Sequence, residues 1–169
     1  MKTLLLAVLA VCLPALIYAQ DITGLWTGTM KNDSTGQVQD YEVFISKEKG
    51  KYIGYSHTWF DIDGEKYFGV KKLKVSIAKD GKIVVLDGEL KENNYPFKDK
   101  YVKQLNVLDQ NGSGETAELS GLFVTNCTKS FYELTGKVQL KKADAYTSSR
   151  LMRFLEKESN GAVAATAVK

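Results

Sequence analysis

From residue 22 onward the chain falls into short stretches in which apolar and polar positions alternate, each ended by a cluster of Gly, Asn, Asp or Ser. A period of two marks a strand with one buried face, and such clusters mark the turns between strands. The run 38–47 is typical: Tyr41, Val43 and Ile45 alternate with Glu42, Phe44 and Ser46. Asp80-Gly81 gives the clearest hairpin signal, between Leu73-Val75-Ile77 and Ile83-Val84-Val85-Leu86. Read in this way, strands are expected at 22–30, 38–47, 51–60, 65–77, 83–90, 101–109, 115–125 and 131–141. The segment 91–100 holds Asn93-Asn94-Tyr95-Pro96, and because Pro96 cannot donate to a ladder it is expected to be the longest rim loop.

Sequential strands joined by short turns pair with their neighbours, and eight of them can close so that no edge is left open. The period then changes. Over 147–158, Leu151, Phe154 and Leu155 recur at helical spacing, and Ser148 or Ser149 can cap the start. Twelve residues would not hold alone, so the helix is expected to lie on the barrel. The fold class is therefore all-β: an eight-stranded antiparallel up-and-down barrel with one C-terminal α-helix. Residues 159–169, rich in Ala and Gly, read as a frayed tail.

The first twenty residues follow a different logic. Lys2, an apolar run from Leu4 to Ile17, and Tyr18-Ala19-Gln20 read as a signal peptide over 1–20, the run being too short to span a bilayer comfortably. The mature chain would then be exported, to a periplasm, a cell surface or the exterior, with a barrel domain over 21–146 and no transmembrane anchor. Cys12 would leave with the signal, so Cys127 can form no intrachain disulfide. A buried inert thiol is the expected state, with intermolecular pairing as the sharper alternative.

Composition narrows the function classes. Against 20 Asp and Glu stand 23 Lys and Arg, evenly scattered, which gives no footprint for nucleic acid or an anionic membrane surface. His57 is the only histidine, so a multi-histidine metal site is excluded, and no base and nucleophile recur at a catalytic spacing. No metal, no cofactor and no enzymatic activity are expected.

Gly24-Leu25-Trp26 on the first strand, the eight-strand series, and a following helix with Arg150 and Arg153 resemble the lipocalins and their wider calycin relatives. That resemblance implies that Trp26 closes one end of the barrel and packs beneath an arginine, Arg150 before Arg153. The family's Thr-Asp-Tyr signature has no counterpart in Asp109-Gln110-Asn111-Gly112-Ser113-Gly114-Glu115. The opening Ile22-Thr23-Gly24-Leu25-Trp26 is also similar to avidins, but Trp59 is the only other tryptophan, so biotin is not expected.

A barrel of eight strands is just wide enough to be filled by its own side chains or to hold one small ligand. On the third strand two phases compete. If Tyr55, His57 and Trp59 point inward, they line a pocket with aromatic walls and polar tips, joined by Phe123; if Tyr52, Gly54, Ser56, Thr58 and Phe60 do, that pocket is absent. Ile22, Trp26, Val43, Leu73, Val75, Leu86, Leu105, Val107, Phe123, Leu134 and Val138 are the expected inward apolar set. The expected function is an exported binding protein for a small, mostly apolar molecule. The alternative is a cell-envelope interaction or structural protein with a filled barrel and a protein partner.

Overall fold

The computed structural model describes residues 21–96, 102–143 and 148–166. The signal segment 1–20, the expected helix start at Thr147 and residues 167–169 of the expected tail lie outside them. Eight strands, β1 (Gly24–Asn32), β2 (Val38–Glu48), β3 (Lys51–Ile62), β4 (Glu65–Ile77), β5 (Ile83–Asn93), β6 (Gln104–Asn111), β7 (Glu118–Thr125) and β8 (Thr135–Lys142), form a closed antiparallel barrel in chain order. One helix, α1 (Arg150–Thr166), follows. It runs beyond the expected end at 158 into the stretch read as a tail, since the alanines that make that stretch featureless are also the best helix formers.

Closure is made by β1, which pairs with β2 on one side and β8 on the other. Gly28 sits in both ladders, opposite Tyr41 and Leu140, and a Cβ there would overlap the Gln139 carbonyl. The missing side chain lets β1 and β8 approach. The segment 131–134 is not strand, because the Thr128 hydroxyl accepts from the backbone N–H groups of Ser130 and Phe131 and holds a turn. Cys127, in the same connection, is exposed rather than buried.

At the end where β1 begins, Ile22, Trp26, Val43, Ile45, Leu73, Val75, Ile83, Leu108, Leu119 and Leu140 fill the interior. Trp26 is fully buried there, its indole N–H donating to the Ile22 carbonyl at 2.9 Å. The cation over its ring is not Arg150 but Lys142, whose Nζ lies 4.8 Å from the ring centroid and donates to the Thr23 carbonyl. The last strand reaches Trp26 directly, since Trp26 and Lys142 are ladder partners, whereas Arg150 belongs to a helix on the outer wall.

Toward the other end, the mouth, the interior becomes polar. Gln104 Nε2 donates to Asn106 Oδ1 at 2.7 Å, and Asn106 makes a long 3.4 Å bond to the hydroxyl of buried Tyr41. Asp87, only 4% exposed, pairs with Lys71 and accepts the Gln104 backbone N–H at 2.9 Å. Burial and then the Asp87 charge push the Tyr41 hydroxyl well above the usual phenol range. Tyr95 is pushed up to about 12 for the same two reasons, and its hydroxyl occupies the space that a side chain at Gly69 would need.

The inward set on β5 and β6 differs from the expected one. Ile83, Val85 and Asp87 face inward on β5, and Asn106 and Leu108 on β6. Leu86 and Val107 are exposed, Leu105 is half-buried on the same outer face, and Leu134 is exposed beyond the strand. Both phases of these strands are apolar, so alternation cannot choose between them, and the chosen phase is the one that carries Asp87 and Asn106 inside.

Replacing Trp26 with Ala should leave a cavity at the filled end and cost roughly 3 to 5 kcal/mol. Urea unfolding reads this as a lowered midpoint, and an unchanged midpoint would show that Trp26 does not hold the barrel closed.

Candidate functional site

The barrel wall opens where β2 and β3 part. Their ladder runs from Glu48↔Lys51 to Tyr41↔Thr58 and stops, although both strands continue. Beyond that point β2 stays paired with β1 as far as Val38, and β3 with β4 as far as Ile62. Across the gap the Gln37 side chain donates to the Asp61 carbonyl at 3.0 Å, a side chain reaching where a backbone donor would otherwise stand. A fissure of about 580 Å³ results, within the usual range of small-molecule sites.

Alternation along the strands explains its lining. Thr27, Asp40, Glu42, Trp59 and Asp61 come from outer faces, and Arg150 from the start of α1 completes the rim. Gln37, Gln39, Tyr41 and Phe60 belong to the opposite phase and reach the fissure from the inner side, while Lys66 and Ser148 lie at its margins. The lining is mainly polar and charged around one indole. Among the described residues no group of three or more His, Cys, Asp or Glu side chains suits a metal ion.

The helix is anchored beside this fissure by Glu42. Its carboxylate accepts from the Ser149 hydroxyl at 2.9 Å and from the Leu151 backbone N–H at 2.8 Å. Ser149 in turn accepts the Met152 N–H at 3.1 Å, so Ser149 is the cap, as one of the two serines was expected to be. A carboxylate at a helix N-terminus also meets the favourable end of the helix dipole. Leu151 is fully buried against Leu25 and Val70, with Phe44, Tyr55, Phe68, Met152, Phe154 and Leu155 around them.

That packing settles the phase of β3. Tyr55, His57 and Trp59 are on the outer wall, under and beside α1, and not in the barrel interior. The inner phase carries Gly54 and Ser56, small enough to leave room for Leu73, Val75 and Tyr41. The helix supplies a second apolar layer, so both faces of β3 are covered and both are aromatic. Phe123 is inward as expected, 6% exposed, but it packs in the core against Gly136 and not with the three β3 residues.

Arg150, Trp59, His57 and Phe68 form a contiguous row, with the Trp59 and His57 rings tilted by 47° and His57 stacked on Phe68. The guanidinium lies 5.4 Å from the Trp59 centroid, His57 is 3.7 Å from Trp59, and Phe68 is parallel to His57 at 5.3 Å. The arginine expected over Trp26 therefore covers Trp59 instead. His57 is 5% exposed and its Nδ1 has no partner among the described residues. Burial, and then the Arg150 charge, push its pKa down to about 4.

Nothing in the sequence pointed to Glu42 as a helix anchor, since its partners lie over a hundred residues away, or to the Lys71–Asp87 pair, since a register shift at Lys71 in the β4–β5 hairpin brings them together. No family model, curated protein or solved structure matches the chain. The class is accordingly defined by architecture: a closed eight-stranded antiparallel barrel, consistent with a calycin-like design, with one helix on its wall.

Two outcomes follow. His57 stays neutral in the fold down to about pH 4, whereas an unfolded chain takes up the proton near pH 6.5. Stability should fall as pH drops from 6.5 to 4 and lose nothing further from this group below that. His57→Phe, which keeps a ring between Trp59 and Phe68, should shrink the pH 7 to pH 4 difference in urea stability by about 3 kcal/mol. The wild type and the variant falling in parallel would contradict this. Glu42→Ala, which removes the oxygen that accepts both bonds from the helix start, should cost about 1 to 2 kcal/mol and selectively raise amide exchange in α1; uniform exchange across the barrel would show that Glu42 anchors more than the helix.

Proposed function

We propose that this protein is an exported, non-catalytic binding module that takes its ligand in the β2–β3 fissure, with a barrel interior that serves as core. One observation carries the reading: the interior is occupied by Trp26, Tyr41 and their neighbours, while about 580 Å³ of space opens in the wall beside Trp59 and Arg150. Asp40, Asp61, Arg150, Lys66 and the two glutamines favour a polar ligand with hydrogen-bonding groups over the mostly apolar molecule expected for a hollow barrel. His57 faces Trp59 and Phe68 and not a hydroxyl or thiol, which supports binding over catalysis. Export rests on the signal-like segment 1–20.

A second reading, contact with a protein of the cell envelope through the outer wall, is favoured by the apolar side chains exposed on β5, β6 and β7. The two readings concern different walls of the same barrel and are compatible.

The interior and fissure sites are separable by tryptophan fluorescence, because Trp26 reports the interior and Trp59 the fissure. In Trp59→Phe protein a brominated carboxylic acid, which quenches indole only at contact range, should leave the emission of Trp26 unquenched. Saturable quenching of Trp26 would restore the hollow-carrier reading and overturn the fissure. Native mass spectrometry of protein from its own source, set against the denatured mass, should show a copurified small molecule that is lost from Asp40→Ala/Asp61→Ala protein. Retention of that molecule by the double variant would also overturn the proposal.

A further inference from the structure

The outer wall opposite the helix carries two rows of aliphatic side chains. Val84, Val107 and Leu122 are consecutive ladder partners across β5, β6 and β7, and so are Leu86, Leu105 and Val124. Alternation puts all six on the outer face, since Ile83, Val85, Leu108 and Phe123 from the same strands are buried within. Leu122 is 62% exposed, Val107 37%, and Leu86 and Val124 36% each. Helix α1 packs chiefly on β2 and β3, and Leu86, Val107, Leu122 and Val124 of this grid stay exposed.

Lone exposed aliphatics are ordinary, but a contiguous grid of six is the kind of patch that marks an interaction site. Its rim is basic. Lys74 is the ladder partner of Leu86, Lys137 the partner of Leu122, and Lys103 immediately precedes β6. All three are exposed, and none has a carboxylate partner among the described residues. The nearest acidic rim residue, Asp109, is already held by Lys82 at 2.8 Å.

We infer that the β5–β7 wall docks a protein partner whose contact face has an apolar centre ringed by Asp and Glu. This rests on the envelope-partner reading and names the chemistry of the partner. An apolar centre with a charged rim is the common anatomy of a specific interface, and the unpaired lysines set the complementary sign. A second copy of this chain fits poorly, because a two-fold contact would bring like lysine rims together. A lipid surface fits less well than a protein, because the grid is a curved barrel face of Val and Leu, with Tyr132 beyond its β7 end as the one strongly exposed aromatic among the described residues.

The test places a photoreactive benzoylphenylalanine at Leu122 in the full-length protein in its own cells, with Asp63 in the β3–β4 turn as the control position. The expected result is a discrete adduct with another protein from position 122 and not from 63. Its yield should fall about ten-fold when Lys74→Glu, Lys103→Glu and Lys137→Glu are combined, and should persist in the matching triple Arg variant. Far-UV circular dichroism and the urea midpoint confirm that each variant folds, and Lys→Gln replacements serve if the Glu triple does not. An adduct that survives charge reversal overturns the acidic-rim chemistry while leaving an envelope partner in place. No adduct, or one equally strong from 63, overturns both. An adduct of twice the protein's mass, or binding of the wild type to phosphatidylserine-containing vesicles that Leu122→Ser abolishes, also overturns the inference.

Discussion

Burial of Asp87 is the constraint on which the division between inside and outside depends. A carboxylate in a barrel core is tolerated only when its charge is met and its lone pairs are used. Lys71 from β4 meets the charge, and the Gln104 N–H from β6 uses a lone pair, so Asp87 can share a face with Ile83 and Val85. A shift of one residue would turn every side chain of β5 over. It would take Val84 and Leu86 inside, put Asp87 in water, and separate Lys71 from its partner. The pair therefore fixes the phase of β5 and, through the β5–β6 ladder, that of β6. The apolar rows on the outer wall follow from the same choice.

Asp87 has a second effect, on the seam itself. Among the described residues the β5–β6 ladder runs from Ile83↔Leu108 to Leu86↔Leu105, and β5 then continues paired with β4. Where backbone pairing stops, the Asp87 carboxylate takes the N–H of Gln104, and Lys71 Nζ reaches the Val102 carbonyl at 3.3 Å. The β2–β3 seam also parts toward the mouth, but it is bridged by the neutral Gln37 bond to Asp61. One parted seam is closed by buried charge and the other is left open to solvent. Buried polar bonds are the costlier to break, so β2–β3 is the more easily parted of the two seams.

The architecture was legible in the alternating pattern because turn chemistry and period agree along most of the chain. Asp63-Gly64, with both φ angles positive, is the tight hairpin turn its residues suggest. Direction was less legible wherever both phases of a strand are apolar or aromatic, as on β3, β5 and β6. On β3 the reason is a long-range one: the outer face is aromatic because a helix nearly a hundred residues later packs on it. On β5 and β6 the rule of apolar side chains inward selects neither phase, and the inner one is settled by the Lys71–Asp87 ion pair between β4 and β5 and by the burial of Asn106 beside Tyr41 of β2. Trp26 is buried in the barrel, and the cation above it comes from the neighbouring strand as Lys142 and not from Arg150.

Filling the barrel changes what its wall can do. A hollow barrel must keep its seams closed and its inner face apolar around the ligand, which leaves the outer wall free to be uniformly polar. Here the interior supplies the packing, so seams and outer faces are released from that duty. The β1–β4 side carries a helix pinned by Glu42, a contiguous cation–aromatic row from Arg150 to Phe68, and the fissure. Across the barrel, β5–β7 carry an uncovered apolar grid with lysines beside it. Because the two surfaces share a rigid core and no side chains, a change in one need not disturb the other. That separation is what a module needs if one wall is to hold a small polar ligand while the other rests against a protein.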